Sequence, residues 1–404
     1  MDDKSRVERL DQAKLWRVSL IPYSRQSIGQ EDINSVVEAL SQKLITQGPQ
    51  VKNFETSVCQ VVNSKFASAC NSATSGLHMA CMALGVTSTD IVWTSAISFV
   101  ASANAARYCG AQIDFVDIDP VTNNISIELL KKKLKAASVE NRLPKCLIVV
   151  HLSGLPCDLR EISFLAKEYD FRVIEDASHA LGASYFGAPI GSGEYSDMCV
   201  FSFHAVKIIT TAEGGVVTTN CSRLAEKLNI LRSHGIVRDG NNNDYDVPPE
   251  IFYRQVTLGY NYRMSEMGAA LGISQIKKLE TFSVKRQKIF ERYQAEISND
   301  LVALPVCQED RVSSNHLFVI KLKALHRHNA RNLLFEEFSK QGIQTNLHYI
   351  PIFLHPDFEK YRVDKKHFPN SMEYFQNALS IPMFPDMTQK QIDKVINILN
   401  DFRV

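Results

Sequence analysis

The first twenty residues, MDDKSRVERLDQAKLWRVSL, lack any apolar run long enough for a secretory leader or a membrane span, because acids and bases alternate through them. No membrane partner is expected, and the chain reads as cytoplasmic. An excess of charge of either sign is also missing. Lys and Arg number 45 against 44 Asp and Glu, a net of +1, which leaves no basic stripe for a nucleic acid. Any anionic partner must be small and bound locally. The nine cysteines are odd in number, scattered and without a CxxC pair, so they read as reduced core residues. None of the eleven histidines stands at zinc-ligand spacing to a cysteine or carboxylate, and no metal is expected. Internal repeats and low-complexity linkers are absent as well.

What remains is 404 residues at 45% hydrophobic content, enough to bury a substantial core. Short β-branched runs alternate with longer amphipathic stretches, an α/β pattern. A first helix is expected over 32–44, where Ile33, Val36, Val37, Leu40 and Leu44 recur at helical spacing behind a capping Asp32. Strands are expected at 90–94, 112–117, 146–151, 172–176, 198–203 and 215–219, several nearly all apolar, as for strands covered on both faces. Helices fit between them at 74–84, 127–136 and 158–169. From about residue 261 the pattern changes to a long helical stretch over 264–286, a strand near 316–322 and a closing helix near 388–402. The expected division is therefore a charged extension over 1–17, a large doubly wound domain over 18–260 and a smaller α+β domain over 261–404. The segment DGNNNDYDVPPE at 239–250 reads as a long surface loop.

Chemistry concentrates in FSFHAVKIITTAEGGVVTTN, residues 201–220. Lys207 is the only Lys or Arg between Met198 and Cys221 and follows a strand that reads as buried. A desolvated ammonium loses its proton more easily and becomes a nucleophile, whereas a lysine at a strand end can also simply reach water. Thirty-one residues earlier, FRVIEDASHALGASY puts Asp176 at the end of an apolar strand and His179 three positions on. Strand ends of open α/β sheets face ligands, and a carboxylate there suits a pyridine ring whose nitrogen must stay protonated. A helix cap at Asp176 and a hydrogen-bonded core role for His179 are the structural alternatives. In NSATSGLHMACMAL, 71–84, hydroxyl residues precede a helix whose first N–H groups suit a phosphate, with Thr74 and Ser75 as added donors, or the pair forms an ordinary N-cap.

The motifs EDASHALGASY, FSFHAVKIITTAEGG, RSHG at 232–235 and LGYNYRMSEMGAALGISQ at 258–275 resemble those of the DegT/DnrJ/EryC1/StrS sugar aminotransferases. The resemblance covers nearly everything after residue 18. It implies the aspartate-aminotransferase fold (fold type I), with a mostly parallel central sheet in the large domain, and pyridoxal 5′-phosphate as cofactor. It further implies that Lys207 carries the cofactor and moves the proton, that Asp176 pairs with the ring nitrogen, and that His179 approaches the ring 3-hydroxyl. Thr74, Ser75 and Ser202 would hold the phosphate, Phe99 of ISFVASAN would stack on the ring, and Asn261 would reach the phosphate of the neighbouring subunit in a homodimer with shared active sites. Within the family, NSATSGLH, ISFVASAN, SHALGASY, FSFHAVK and SSNHLFVI look most like the branch serving pseudaminic acid biosynthesis, which implies a UDP-linked 4-keto sugar and L-glutamate as substrates. The isoleucine pair after Lys207 and the charged extension depart from that pattern. Substrate contacts are expected from His348 and Tyr349 in NLHYIPI, then Asn315 and His316 in SSNHLF and Thr46 in LITQGPQ, all polar residues beside apolar runs. Competing readings are an aminotransferase for a bacillosamine- or legionaminic-type sugar, a sugar dehydratase on the same fold, and a non-catalytic cofactor-binding regulator. Dehydratase relatives carry histidine where position 207 here is lysine.

Overall fold

The computed structural model describes residues 20–238, 247–323 and 329–403. The 1–17 extension and most of the 239–250 loop therefore lie outside the described residues. In chain order the first part forms α1 (Gln30–Leu40), α2 (Pro49–Val62), β1 (Phe66–Cys70), α3 (Ala73–Ala83), β2 (Ile91–Ser95), α4 (Ala101–Tyr108), β3 (Gln112–Val116), α5 (Ile127–Val139), β4 (Cys146–Val150), α6 (Leu159–Tyr169), β5 (Arg172–Asp176), β6 (Met198–Ser202), β7 (Gly215–Thr219) and α7 (Ser222–Leu231). The seven strands make one sheet in the order β1-β7-β6-β5-β4-β2-β3. Only β7 runs against its neighbours, pairing antiparallel with β1 and β6, while β2 to β6 are mutually parallel.

Strand alternation explains why the sheet is covered on both sides. On β4, Leu147 and Val149 face a core built with Phe54 of α2, Leu130 of α5 and Ile162 of α6. Cys146 and Ile148 face the opposite core, with Leu77 of α3, Ala103 of α4 and Leu228 of α7. The chain is thus a doubly wound α/β protein of fold type I, as expected.

The second part comprises α8 (Glu266–Ile276), α9 (Leu279–Glu296), β8 (Val302–Ala303), β9 (Phe318–Leu322), α10 (Ala330–Lys340), α11 (Pro369–Asn377), β10 (Ala378–Ile381) and α12 (Gln389–Asp401). An antiparallel sheet in the order β8-β9-β10 packs with α9, α10 and α12 around Ile289, Tyr293, Phe318, Phe338 and Val395. Ile21 joins this core and pairs with Ile343, so the start of the described chain belongs to it. The closing helix begins at a capping box in which Thr388 Oγ1 accepts from Gln391 N–H and the Gln391 side chain accepts from Thr388 N–H.

Two expected helices differ in their bounds. The first is capped at Gly29, with Asp32 at its third position accepting Gly29 N–H at 2.8 Å, and it ends at Leu40 instead of 44. The stretch over 264–286 is broken at Lys277 and Lys278. Lys278 Nζ reaches back to Asp32 Oδ2 at 2.8 Å, and Ser274 and Gln275 donate to the same carboxylate, which ties α8 to α1.

Candidate active site

The parallel strands β4, β5 and β6 end at Val150, Asp176 and Ser202, and all three residues line one cavity of about 580 Å³. Its other walls include Ser72, Ala73 and Thr74 at the start of α3, Phe99, His179, Lys207, Glu213, His316, His348 and Tyr349. Lys207 is the only lysine or arginine among the described residues that line it. Burial depresses its ammonium to about 8, a shift that the negative Asp176 partly opposes. At neutral pH roughly one amine in ten is then unprotonated. Lys207 forms no ion pair with Asp176 among the described residues, although each bounds the same space.

Asp176 is buried, and both carboxylate oxygens are held by hydroxyls. Ser102 Oγ of α4 donates to Oδ2 at 2.6 Å, and Ser178 Oγ donates to Oδ1 at 2.6 Å. Ser98 Oγ lies 2.7 Å from Ser102 Oγ and extends the network. Among the described residues these hydroxyls, and no ion pair, hold the carboxylate oxygens. Its charge is oriented without being neutralised.

His179 has both ring nitrogens engaged. Ser153 N–H donates to Nδ1 at 3.2 Å, and Nε2 lies 3.1 Å from Tyr349 Oη. Its ring is 4.5 Å from that of His316, and burial with the neighbouring Lys207 charge pushes the His179 imidazole well below the ordinary range. His316 is depressed in the same way, by burial and by His179 and Lys207. His348 falls to about 3, its Nδ1 lying 2.8 Å from Ser380 Oγ. Burial raises the Tyr349 phenol, so it stays protonated. Phe99 is 56% exposed, an open apolar ring face at the cavity edge 5.9 Å from the Tyr349 ring.

At the start of α3, Ser72 caps the helix by accepting Ser75 N–H, and Ala73 and Thr74 N–H have no partner among the described residues. Gly215 lets β7 approach this turn: a Cβ there would stand 2.6 Å from Ala73 N. The helix start is thereby pressed toward the ends of β6 and β7 and offers free donors to an anion.

Nine of the expected residues meet in this cavity: Lys207, Asp176, His179, Thr74, Ser202, Phe99, His316, His348 and Tyr349. Four do not. The Ser75 hydroxyl donates to Asn71 Oδ1 at 2.6 Å beneath the helix start, so Ser72 takes the place facing the cavity. Asn315 has φ +50° and donates to Gln287 Oε1, which turns it into a separate cavity of about 270 Å³. Thr46 is exposed and bridges Ser265, and Asn261 is exposed and bridges Ser233. Sequence reasoning passed over Ser102, Ser178 and Ser153. Ser178 carried a local signal, since a serine two residues after an aspartate favours a side-chain turn; Ser102 lies 74 residues from its partner and had none.

These features fit pyridoxal phosphate. A carboxylate oriented by hydroxyls suits a protonated ring nitrogen, an amine that releases its proton more easily than an ordinary lysine suits a carbonyl, Phe99 suits a ring face and the start of α3 suits a phosphate. Fold and cavity together define a pyridoxal-phosphate-dependent aminotransferase of fold type I. The chain belongs to the DegT/DnrJ/EryC1/StrS aminotransferase family, whose model it matches over residues 26–400.

A Campylobacter jejuni protein named UDP-4-amino-4,6-dideoxy-N-acetyl-beta-L-altrosamine transaminase is 38% identical over 373 residues, 92% of this chain and 94% of its own length. The structure of Helicobacter pylori PseC, described as an aminotransferase involved in the biosynthesis of pseudoaminic acid, superposes with a TM-score of 0.84 at 29% identity, covering 94% of this chain and 98% of that one. The PLP form of the putative sugar aminotransferase Spr1654 from Streptococcus pneumoniae gives 0.85 at 27% identity, with the same coverage of 94% and 98%. The protein is a sugar aminotransferase. Among the described residues no helix is long and apolar enough to cross a membrane.

Proposed function

We propose that this aminotransferase moves the amino group of L-glutamate to C4 of UDP-2-acetamido-2,6-dideoxy-β-L-arabino-hexos-4-ulose, giving UDP-4-amino-4,6-dideoxy-N-acetyl-β-L-altrosamine for pseudaminic acid biosynthesis. The observation that carries the substrate is the 38% identity over almost the full length to the Campylobacter jejuni transaminase bearing that product's name.

In this reading Asp176 holds the cofactor's ring nitrogen protonated, Phe99 covers the ring, and Ser72, Ala73, Thr74 and Ser202 hold the phosphate. Pyridoxal phosphate, when bound, supplies the carbonyl that carries the amino group and a ring that spreads the charge left at carbon. Lys207 anchors it and serves as the mobile base. Its neutral amine takes the proton from the glutamate α-carbon in the first half-reaction and returns one to sugar C4 in the second. A lysine held near pKa 8 suits both directions, since it gives and takes a proton at comparable cost near neutral pH. His316, His348 and Tyr349 face the sugar, while Thr46 and Asn315 have no part in this proposal.

The active unit is a homodimer with Asn261 of each copy completing the other copy's phosphate site. Its support is an apolar stripe on α1, where Ile33, Val37 and Leu40 are 49%, 57% and 55% exposed at helical spacing. The exposed position of Asn261 agrees with a contact made outside its own chain.

The test is incubation of the protein with pyridoxal phosphate, glutamate and the 4-keto-6-deoxy UDP-GlcNAc-derived sugars of both C5 configurations, reading product mass beside a Lys207→Ala control. Amination of the L-arabino sugar that disappears in the control supports the proposal. Amination of the D-xylo isomer alone moves the assignment to bacillosamine-type chemistry.

A further inference from the structure

We propose that the Tyr349 hydroxyl is a hydrogen-bond donor to an acceptor oxygen on the molecules held beside Lys207, aimed by a relay of fixed direction that runs from Ser153 through His179. The proposal rests on the aminotransferase reading of the cavity, and it assigns a role that the expected pairing of His179 with the ring hydroxyl does not contain.

The direction follows from a group that can only donate. Ser153 N–H has no lone pair to offer, so His179 Nδ1, 3.2 Å away, must be the unprotonated nitrogen. A buried imidazole next to Lys207 stays neutral and keeps its single proton, which must then sit on Nε2. That N–H stands 3.1 Å from Tyr349 Oη and donates to it. The tyrosine oxygen is thereby occupied as an acceptor. Its own hydrogen has no other partner among the described residues, and Tyr349 forms part of the cavity wall.

The relay is built into the backbone. Ser153 holds φ +60° in the turn that follows β4, and Leu152 N–H donates to Asn124 Oδ1 at 2.9 Å on one side of it. On the other side Gly154 has φ +95°, where a Cβ would meet Ser314 Oγ at 2.0 Å and His179 O at 2.8 Å. Ser314 Oγ donates to that same His179 carbonyl. The histidine is therefore clamped through its ring by residue 153 and through its backbone by residue 314. The tyrosine ring stacks on it with the planes 21° apart at 6.1 Å, and the Phe99 ring lies tilted 5.9 Å from the tyrosine ring. A donor held in this way needs no reorganisation when charge develops on the accepting oxygen.

The accepting oxygen is either the phenolic oxygen of the cofactor ring or the carbonyl oxygen of the keto sugar. The experiment uses the pyridoxal-phosphate-loaded full chain as wild type and as Tyr349→Phe, which keeps the ring and removes only the hydroxyl. It reads the pH titration of the bound cofactor's absorbance and the separate rates of the glutamate and sugar half-reactions. If the acceptor is on the cofactor, the titration midpoint moves by about one pH unit in the variant. If it is on the sugar, the midpoint stays and the sugar half-reaction alone slows about tenfold. Unchanged titration and unchanged rates in the variant overturn the proposal.

Nitrogen NMR of His179 in the cofactor-free protein tests the relay without any turnover. An Nε2-protonated, Nδ1-free ring that persists at pH 6 is the expected signature, and an Nδ1-protonated ring overturns the proposal. If wild type neither binds the cofactor nor aminates a sugar, the functional reading fails, and the tautomer result decides the relay by itself.

Discussion

Ser102 Oγ donates to Asp176 Oδ2 across 2.6 Å, linking the first turn of α4 to the end of β5. Asp176 thus meets the cavity with one oxygen steered by a residue far away in sequence and the other by Ser178, two positions along. A carboxylate oriented in this way can hold a ring nitrogen without first repacking.

Ser102→Ala removes a buried hydrogen bond to a charged group, a loss of about 1.5 to 3 kcal/mol. Affinity for pyridoxal phosphate is expected to fall by roughly ten- to a hundredfold, read by titrating cofactor into stripped protein. An unchanged affinity means that the hydroxyl does not orient Asp176.

Lys207 carries a folded-state pKa of about 8 against an ordinary 10.5. Below pH 8 both folded and unfolded chains hold the proton, and the fold bears the full cost of the buried charge. Between 8 and 10.5 the unfolded chain binds more protons, so stability rises with pH. In cofactor-free protein, Lys207→Met is expected to melt about 2 °C higher than wild type at pH 7, with the gap closing as pH approaches 10.5. Melting curves at pH 7, 8.5 and 10 check this; a gap that widens with pH contradicts it.

His179, His316 and His348 all have depressed pKa values and remain neutral in the fold. The unfolded chain takes up their protons as pH drops through about 6.5, so stability is complete above that value and is lost below it. Three such groups together give a slope of up to about 4 kcal/mol per pH unit. Urea unfolding at pH 7, 6 and 5 should show this fall, and His316→Asn should reduce the slope by about a third. Equal slopes in variant and wild type would assign the acid sensitivity to other groups.

The α1 stripe gives a prediction about assembly. Val37→Glu places a charge in the proposed subunit contact and is expected to shift the protein from dimer toward monomer in sedimentation velocity, with at least a tenfold loss of cofactor affinity. A variant that remains dimeric and fully loaded moves the interface elsewhere.

Much of the sheet was legible because strands covered on both faces are runs of apolar residues. The expected strands at 172–176 and 215–219 coincide with β5 and β7, and those ending at 117, 151 and 203 run one residue past β3, β4 and β6. β1 was not anticipated, because after Phe66 it consists of the small residues ASAC without a β-branched side chain, and pairing with β7 decides its conformation. The Ala-rich helix α4 was likewise unanticipated. The helix expected to reach 44 stops at Leu40, since its apolar stripe has no core to follow within this chain.

The sequence by itself determined that Asp176 closes an apolar strand, that Lys207 follows another, and that hydroxyl residues open α3, because strand ends and helix starts are set by local pattern. It could not determine that Ser102 orients Asp176, that Ser72 displaces Ser75 at the cavity, or that Asn315 turns into a different cavity. Tertiary structure alone decided these, since a hydrogen bond between residues 74 positions apart leaves no periodicity in the chain. The direction of the His179 proton belongs to the same class: it depends on a backbone N–H 26 residues away, and only folding brings that donor within 3.2 Å of the ring.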